Sequence, residues 1–160
     1  MATTTASLTI ESSDLVGDAL SLSTTATLNK AGTTTGIDQT TGIATVYLDS
    51  VQAIDIFPVI QDNGGSAPSP YQDKTHWIYI CNKSEDETEY VTITICSQVI
   101  GLLYAGDWMW MPWSQDEDAN AADLHADIEL TPSVATGMYI DWGMVHEGIQ
   151  YPDVDGDNQA

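Results

Sequence analysis

Apolar and polar residues alternate with a period of two in several segments of this chain, which is the pattern of half-buried β-strands. Residues 90–95 show it most clearly, because valine and isoleucine occupy the odd positions while tyrosine and threonine occupy the even ones. An apolar and aromatic run at residues 76–81 precedes this strand, and an acidic loop joins the two segments. We therefore predict a β-hairpin in which Ile80 pairs with Val91.

The same pattern predicts that most of the remaining chain is extended. Threonine is abundant in residues 1–45, and its β-branching favours strands, although a disordered arm is the alternative for this region. Around residues 119–125 the sequence permits a short helix or a polar loop. Further strands are predicted near residues 7–11, 20–29, 43–49, 51–60, 108–113, 126–131 and 137–147.

These elements predict an all-β protein. About nine or ten short strands, separated by Gly, Pro and acidic turns, are typical of an antiparallel β-sandwich or jelly roll with little helix. The 160 residues are one domain's worth of chain. We expect a single β-sandwich over residues 1–152, whose threonine-rich segment 1–45 forms N-terminal strands or an arm, and an acidic tail at 153–160.

The strand predicted at residues 108–113 is apolar on both faces. Trp108 and Trp110 lie on one side, and Met109 and Met111 lie on the other. We expect one face to pack in the core and the other against a neighbouring sheet or subunit, with burial of both faces inside the domain as the alternative. The candidate interface residues are Trp108, Met109, Trp110, Met111, Trp113, Tyr139 and Trp142.

The aromatic side chains also permit a binding function. Five Trp and seven Tyr stand against a single Phe, so most rings carry a polar group, as at interfaces. Flat indole faces stack on sugars, and Trp108, Trp110 and Trp113 are candidates for a carbohydrate platform. Subunit packing is the competing use of the same side chains.

The charge is strongly acidic, with 24 Asp plus Glu against 3 Lys, no Arg and a formal net charge of -21. Such a surface repels phosphate backbones, which argues against direct nucleic-acid binding. In concentrated salt the Debye length falls to roughly 3 Å, which screens self-repulsion while the surface stays solvated. The composition suits a saline medium, or a basic or cation-bridged partner.

The two cysteines are expected to be free thiols. If the hairpin pairs Ile80 with Val91, Cys81 faces Tyr90, and Cys96 lies roughly 20 Å further along by strand rise. A different register, or strands that are not neighbours, would change this distance. A disulfide requires Cα atoms within about 7 Å. Free thiols fit assembly in a reducing cytosol. The N-terminus has no basic or apolar signal region, and no segment approaches the roughly 18 apolar residues of a membrane helix.

The candidate metal ligands are few. Asp153, Asp155 and Asp157 surround a glycine and could wrap calcium, although the run lacks the Glu that completes an EF-hand loop, and a solvated tail is the alternative. The three histidines, His76, His125 and His146, have no zinc-site spacing, and we expect structural or surface roles for them.

Enzymatic motifs are missing or incomplete. The chain has no GxSxG motif, and neither cysteine lies in a basic setting that would lower its pKa. The run from Gly106 to Pro112 resembles part of the second cupin motif, but the Gly and His that follow in cupins are replaced by Trp113 and polar or acidic residues. The likeness supports a jelly roll and argues against a cupin enzyme, so we expect a non-enzymatic protein without a required cofactor.

Several segments resemble small virion structural proteins of tailed bacteriophages, particularly those of marine hosts. They are SLSTTATLNKAGTTTG, TEYVTITICSQ, LYAGDWMWMPW and DIELTPSVATGMYIDWGMVHE. Proteins of that group decorate capsids, build tails or form fibres, usually as symmetric oligomers. The resemblance implies a homo-oligomer, for instance a trimer, that is assembled in the host cytoplasm, sits in the virion and contacts other virion proteins, with neither nucleic acid nor membrane as a partner. A receptor-binding or carbohydrate-binding module of a tail fibre, with calcium at the acidic tail, is the alternative.

Overall fold

The computed structural model describes residues 3–13, 17, 19–48, 54–55, 76–95, 98–113 and 128–147. These residues form strands and their connections, without helix. The strands are β1 (Thr4–Ser12), β2 (Leu20–Leu28), β3 (Gln39–Leu48), β4 (Ile54–Asp55), β5 (His76–Asn82), β6 (Tyr90–Ile95), β7 (Gln98–Tyr104), β8 (Trp108–Trp113), β9 (Ile128–Pro132) and β10 (Met138–His146).

Eight of these strands form two four-stranded antiparallel sheets. The first sheet has the order β3-β10-β5-β8 and the second has the order β4-β9-β6-β7. Of the seven connections from β3 to β10, all but β6–β7 cross from one sheet to the other, which is the topology of a jelly roll. The predicted all-β sandwich is confirmed.

The core between the sheets is aliphatic. It is formed by the inward side chains of five strands, which alternate with outward side chains as a half-buried strand requires. The buried members are Leu48, Ile78, Ile80, Val91, Ile93, Ile95, Ile128, Leu130, Met138, Ile140 and Met144. The described Trp and Tyr side chains all retain partial or greater exposure, so the rings lie around the core and not in it.

The predicted hairpin of residues 76–95 is wrong. Strand β5 pairs with β10 and β8, whereas β6 pairs with β7 and β9. Both strands point alternate aliphatic side chains into the shared core, and they do so from opposite sheets. The acidic loop therefore crosses between the sheets, and Ile80 is not a ladder partner of Val91.

Strand β7 was not among the predicted strands. Its sequence is apolar at most positions and contains Gly101, so it lacks alternation. The ladder with β6 also shifts register, since Ile93 faces Gly101 and Thr94 faces Val99, which leaves Ile100 as an extra residue.

The threonine-rich N-terminal region forms strands, as predicted. β1 and β2 pair antiparallel over nine positions as a separate two-stranded sheet. We call the end of this sheet where Thr4 lies opposite Leu28 its base, and Leu28 and Ile37 are buried there. The Thr4 hydroxyl donates to the Ile37 carbonyl at 2.8 Å, and the Ile37 amide donates to the Leu28 carbonyl at 2.9 Å. The Lys30 ammonium contacts Asp38 at 2.7 Å beside this base.

The free-thiol prediction is confirmed for Cys81, which is buried and not bridged. Several predictions lie outside the described residues. They concern Cys96, the helix or loop at 119–125, most of the strand at 51–60, His125, and the calcium ligands Asp153, Asp155 and Asp157.

Candidate interaction surfaces

The outward side of the first sheet carries a group of aromatic and apolar residues on strands β3, β5 and β8. On β8, Trp108 lies opposite Cys81, Trp110 opposite Tyr79, and Pro112 opposite Trp77. We call this group the tryptophan face, and its members are Ile43, Trp77, Tyr79, Trp108, Trp110 and Pro112. Ile43 is 71% exposed and Trp108 is 53% exposed.

Two rings of the tryptophan face are packed together. Trp77 and Trp110 stack with ring centroids 5.6 Å apart and an interplanar angle of 21°. The Trp110 Nε1 atom is buried without a hydrogen-bond partner, which is a desolvation cost in the isolated chain. Beside them, burial, followed by hydrogen bonding to Cys81 and the charge of Asp141, raises the pKa of Tyr79.

Five of the seven candidate interface residues fall into two groups. Trp108 and Trp110 lie on the tryptophan face. One face of β8 therefore packs in the core and the other lies on the outer side of the sheet. Met109, Met111 and Trp142 pack against the core. These three are partly buried and help to stabilise the chain's own sandwich.

The remaining two candidates lie at different places. Trp113 ends β8, where it pairs with His76 of β5. Tyr139 is the second residue of β10 and is 56% exposed, but it lies beyond the tryptophan face. Three polar residues lie between Tyr139 and the tryptophan face: the Thr45 hydroxyl donates to Asp141 at 2.6 Å, and Lys83 contacts Asp141 at 3.7 Å.

Tyr139 belongs to a shallow pocket of about 360 Å³. The rings of Tyr47 and Tyr139 face each other across the β3–β10 ladder, with centroids 4.9 Å apart and a tilt of 53°. We call this site the tyrosine pocket, and it is lined by Tyr47, Lys83, Ser84, Glu85, Glu89, Gly137, Met138 and Tyr139.

One wall of the tyrosine pocket is the loop between β5 and β6. Buried Asn82 anchors it: the side-chain amide donates to the Leu103 carbonyl at 3.0 Å, and its oxygen accepts from the Ser84 amide at 2.9 Å. The Asp86 carboxylate accepts hydrogen bonds from the Thr88 hydroxyl and amide, and these two bonds hold the pKa of Asp86 below its usual range. The loop is therefore closed by internal hydrogen bonds.

The two faces of the hairpin formed by β1 and β2 differ in polarity. One face carries only hydroxyl and carboxylate side chains from paired positions such as Thr9 and Ser23. The opposite face carries apolar pairs such as Ile10 and Leu22, which are 40% and 42% exposed. We call this side the apolar face of the hairpin, and its members are Ala6, Leu8, Ile10, Leu20, Leu22 and Ala26.

Sequence reasoning missed part of these surfaces. The sequence carries a signal for Trp77 and Tyr79, because they alternate with the buried isoleucines of β5. That alternation alone indicates that both side chains point outward. The tyrosine pocket had no such signal, because Tyr47 and Tyr139 meet only through the pairing of two strands that are far apart in sequence.

The described part of the chain brings together no group of three or more His, Cys, Asp and Glu side chains able to hold a metal ion. His146 is buried, and its Nδ1 atom lies 2.9 Å from the Glu147 carbonyl oxygen, consistent with the structural role expected for it.

No protein-family model, curated protein or solved structure matches this chain. Over the residues that the structure describes, there is no helix of the length and hydropathy needed to span a membrane.

Proposed function

We propose that this protein is a non-enzymatic structural protein that assembles with copies of itself, and that it does so in the virion of a tailed bacteriophage. The observation that carries the self-assembly is the tryptophan face. The chain folds around an aliphatic core and places several large rings on the outside of one sheet. Large apolar side chains grouped on an outer surface mark interaction sites in soluble proteins.

Burial of the exposed side chains on the tryptophan face would provide the free energy of association. Burying one aromatic side chain at an interface contributes about 2 kcal/mol, and tryptophan and tyrosine are enriched among residues that dominate binding. Trp108 and Ile43 are more than half exposed, so both have area left to bury. A second copy seated on this face removes that area from water.

The hairpin supplies a second argument for association. An isolated two-stranded ribbon is marginally stable in water and needs a packed face. The apolar face of the hairpin has Leu20 and Leu22 at 44% and 42% exposure. We propose that this hairpin lies across a neighbouring copy, which covers the leucines.

Charge also favours the hairpin as a contact. The chain carries a net charge of -21, so most of its surface repels a second copy. The two strands of the hairpin carry a single carboxylate, Glu11. They meet another copy at lower electrostatic cost than the acidic loops do.

The virion context is supported by the fold and by the sequence resemblance. Jelly rolls build viral capsid domains, although they also build lectins and cupins, so the fold alone does not assign the function. The similarity of the quoted segments to phage structural proteins favours the virion among these. Immunogold electron microscopy of intact particles tests this part, and absence of the protein from them contradicts it.

Self-assembly is tested with a matched pair of exposed residues. We expect Ile43→Asp to lower the oligomer mass measured by light scattering, because it places a charge in the tryptophan face. Val99→Asp is the control, since Val99 is 67% exposed on β7 of the other sheet while Ile43 is 71% exposed. A wild-type monomer, or an Ile43→Asp oligomer of unchanged mass, contradicts the proposed interface.

A further inference from the structure

We infer that the tyrosine pocket binds a neutral saccharide. This inference goes beyond the proposed assembly function and uses residues outside the tryptophan face. The pocket, at about 360 Å³, lies at the small end of the range for ligand sites, which runs from roughly 300 to 1,000 Å³. It therefore suits one sugar ring or the end of a short glycan.

The aromatic rings are available for stacking. Tyr47 is 47% exposed and Tyr139 is 56% exposed, and their 53° tilt makes an angled corner instead of a closed stack. A pyranose presents apolar C–H groups on one face and hydroxyls around its edge. One ring of the corner can take the C–H face while the other contacts the ring edge.

The Tyr47 ring is held in place before any ligand arrives. Gly137 has a φ of +87°, and a Cβ atom there would lie 2.5 Å from the Tyr47 ring carbon that bears the hydroxyl. The Tyr47 hydroxyl in turn donates to the Thr136 carbonyl. Because Tyr47 rests directly on a glycine and is tied at its far end, little conformational freedom is lost on binding.

The opposite wall is also preorganised. The Lys83 amide donates to the Tyr139 carbonyl at 2.9 Å, which joins the loop to β10. The Ser84 hydroxyl donates to the Glu89 carboxylate, and buried Asn82 fixes the start of the loop. The polar groups of the pocket are therefore attached to a supported loop and not to a free one.

The mixture of polar groups selects the ligand class. Lys83 supplies a donor, while Glu85 and Glu89 supply acceptors. An anionic ligand would meet the two carboxylates, and a cationic ligand would meet the ammonium of Lys83. A hydroxyl group both donates and accepts, so an uncharged polyol satisfies both kinds of group. The apolar rings then favour a sugar over a flexible polyol.

The test uses glucose, galactose, mannose, N-acetylglucosamine and their disaccharides as probes, with sialic acid and glucosamine as charged comparisons. Binding is measured by saturation-transfer NMR and isothermal titration calorimetry at millimolar sugar. We expect at least one neutral sugar to bind the wild type more tightly than either charged comparison. Absence of neutral-sugar binding, or preference for a charged sugar, overturns the inference.

Variants locate the site. Tyr139→Ala is expected to weaken binding by roughly ten-fold or more, which corresponds to about one lost aromatic contact, while Tyr139→Phe keeps the ring and most of the affinity. Tyr104→Ala is the matched control, because Tyr90 and Tyr104 form a similar tilted pair on the other sheet at 5.5 Å and 57°. Equal loss in Tyr104→Ala and Tyr139→Ala, or no loss in Tyr139→Ala, overturns the assignment.

Light scattering keeps this result separate from the assembly proposal. We expect Tyr139→Ala to retain the wild-type mass and Ile43→Asp to retain sugar binding. Thermal unfolding of each variant verifies that it folds, and Tyr139→Phe provides a folded comparison if Tyr139→Ala is destabilised. Failure of sugar binding with an intact oligomer removes this inference alone.

Discussion

At the scale of single residues, Gly137 connects backbone geometry to the tyrosine pocket. Its backbone lies in the left-handed region at φ +87°, and the space where a Cβ would stand is filled by Tyr47 and by the Leu48 carbonyl, 2.7 Å away. Two independent requirements therefore select glycine here, one conformational and one steric.

We expect Gly137→Ala to destabilise the fold by about 2 to 4 kcal/mol, since it adds a backbone clash to the left-handed penalty of about 1 kcal/mol. Chemical unfolding measures the change. Gly106→Ala is the matched control, because Gly106 has a similar φ of +79° with nothing within 4 Å of the added Cβ. Equal destabilisation in the two variants would show that the contact with Tyr47 has no energetic weight.

At the scale of elements, the N-terminal hairpin differs from the sandwich strands. Strand β3 and strands β5 to β10 contribute side chains to a shared core, whereas β1 and β2 bury only their base at Leu28. Their pairing is continuous over nine positions and lacks a register shift. The hairpin is thus a regular ribbon whose apolar face keeps Ile10, Leu20 and Leu22 at least 40% exposed.

We expect Leu22→Asp to lower the oligomer mass in light scattering, because it charges the apolar face that is proposed to lie on a neighbour. Ser23→Asp adds the same charge one residue away on the polar face, so it should leave the mass close to wild type. If both variants behave alike, the apolar face of the hairpin is not a subunit contact.

At the scale of the whole molecule, association of an acidic protein is a balance between apolar burial and charge repulsion. The net charge of -21 acts over the Debye length, which falls from about 10 Å at 0.1 M salt to about 3 Å at 1 M. Apolar contacts are not weakened by this screening.

We therefore expect the oligomer to become more stable as sodium chloride rises from about 0.1 M to about 1 M, a range over which the screening length falls roughly three-fold. Sedimentation velocity across protein dilutions measures the dissociation constant at each salt concentration. Weaker association at higher salt would mean that ion pairs hold the subunits together, which contradicts apolar assembly.

The features of the fold that could be predicted from the sequence are those set by residues close together along the chain. Alternation placed β6 at its observed bounds and located β10 to within one residue at each end, and the dense apolar and aromatic run placed β8 at its bounds, because both are local properties of the chain. Alternation failed at β7, where both faces are apolar and Gly101 interrupts the pattern. Local patterns also placed the outward tryptophans of β8 opposite its inward methionines.

The sequence by itself determined the fold class, the two-faced β8 strand and the acidic surface, since period, composition and charge are carried by neighbouring residues. Only the tertiary structure decided that β5 and β6 lie in opposite sheets, and that Tyr47 and Tyr139 form a pocket with the loop after β5. A strand with one apolar face can satisfy it by many pairings, and only the simultaneous packing of all the strands around one core selects among them.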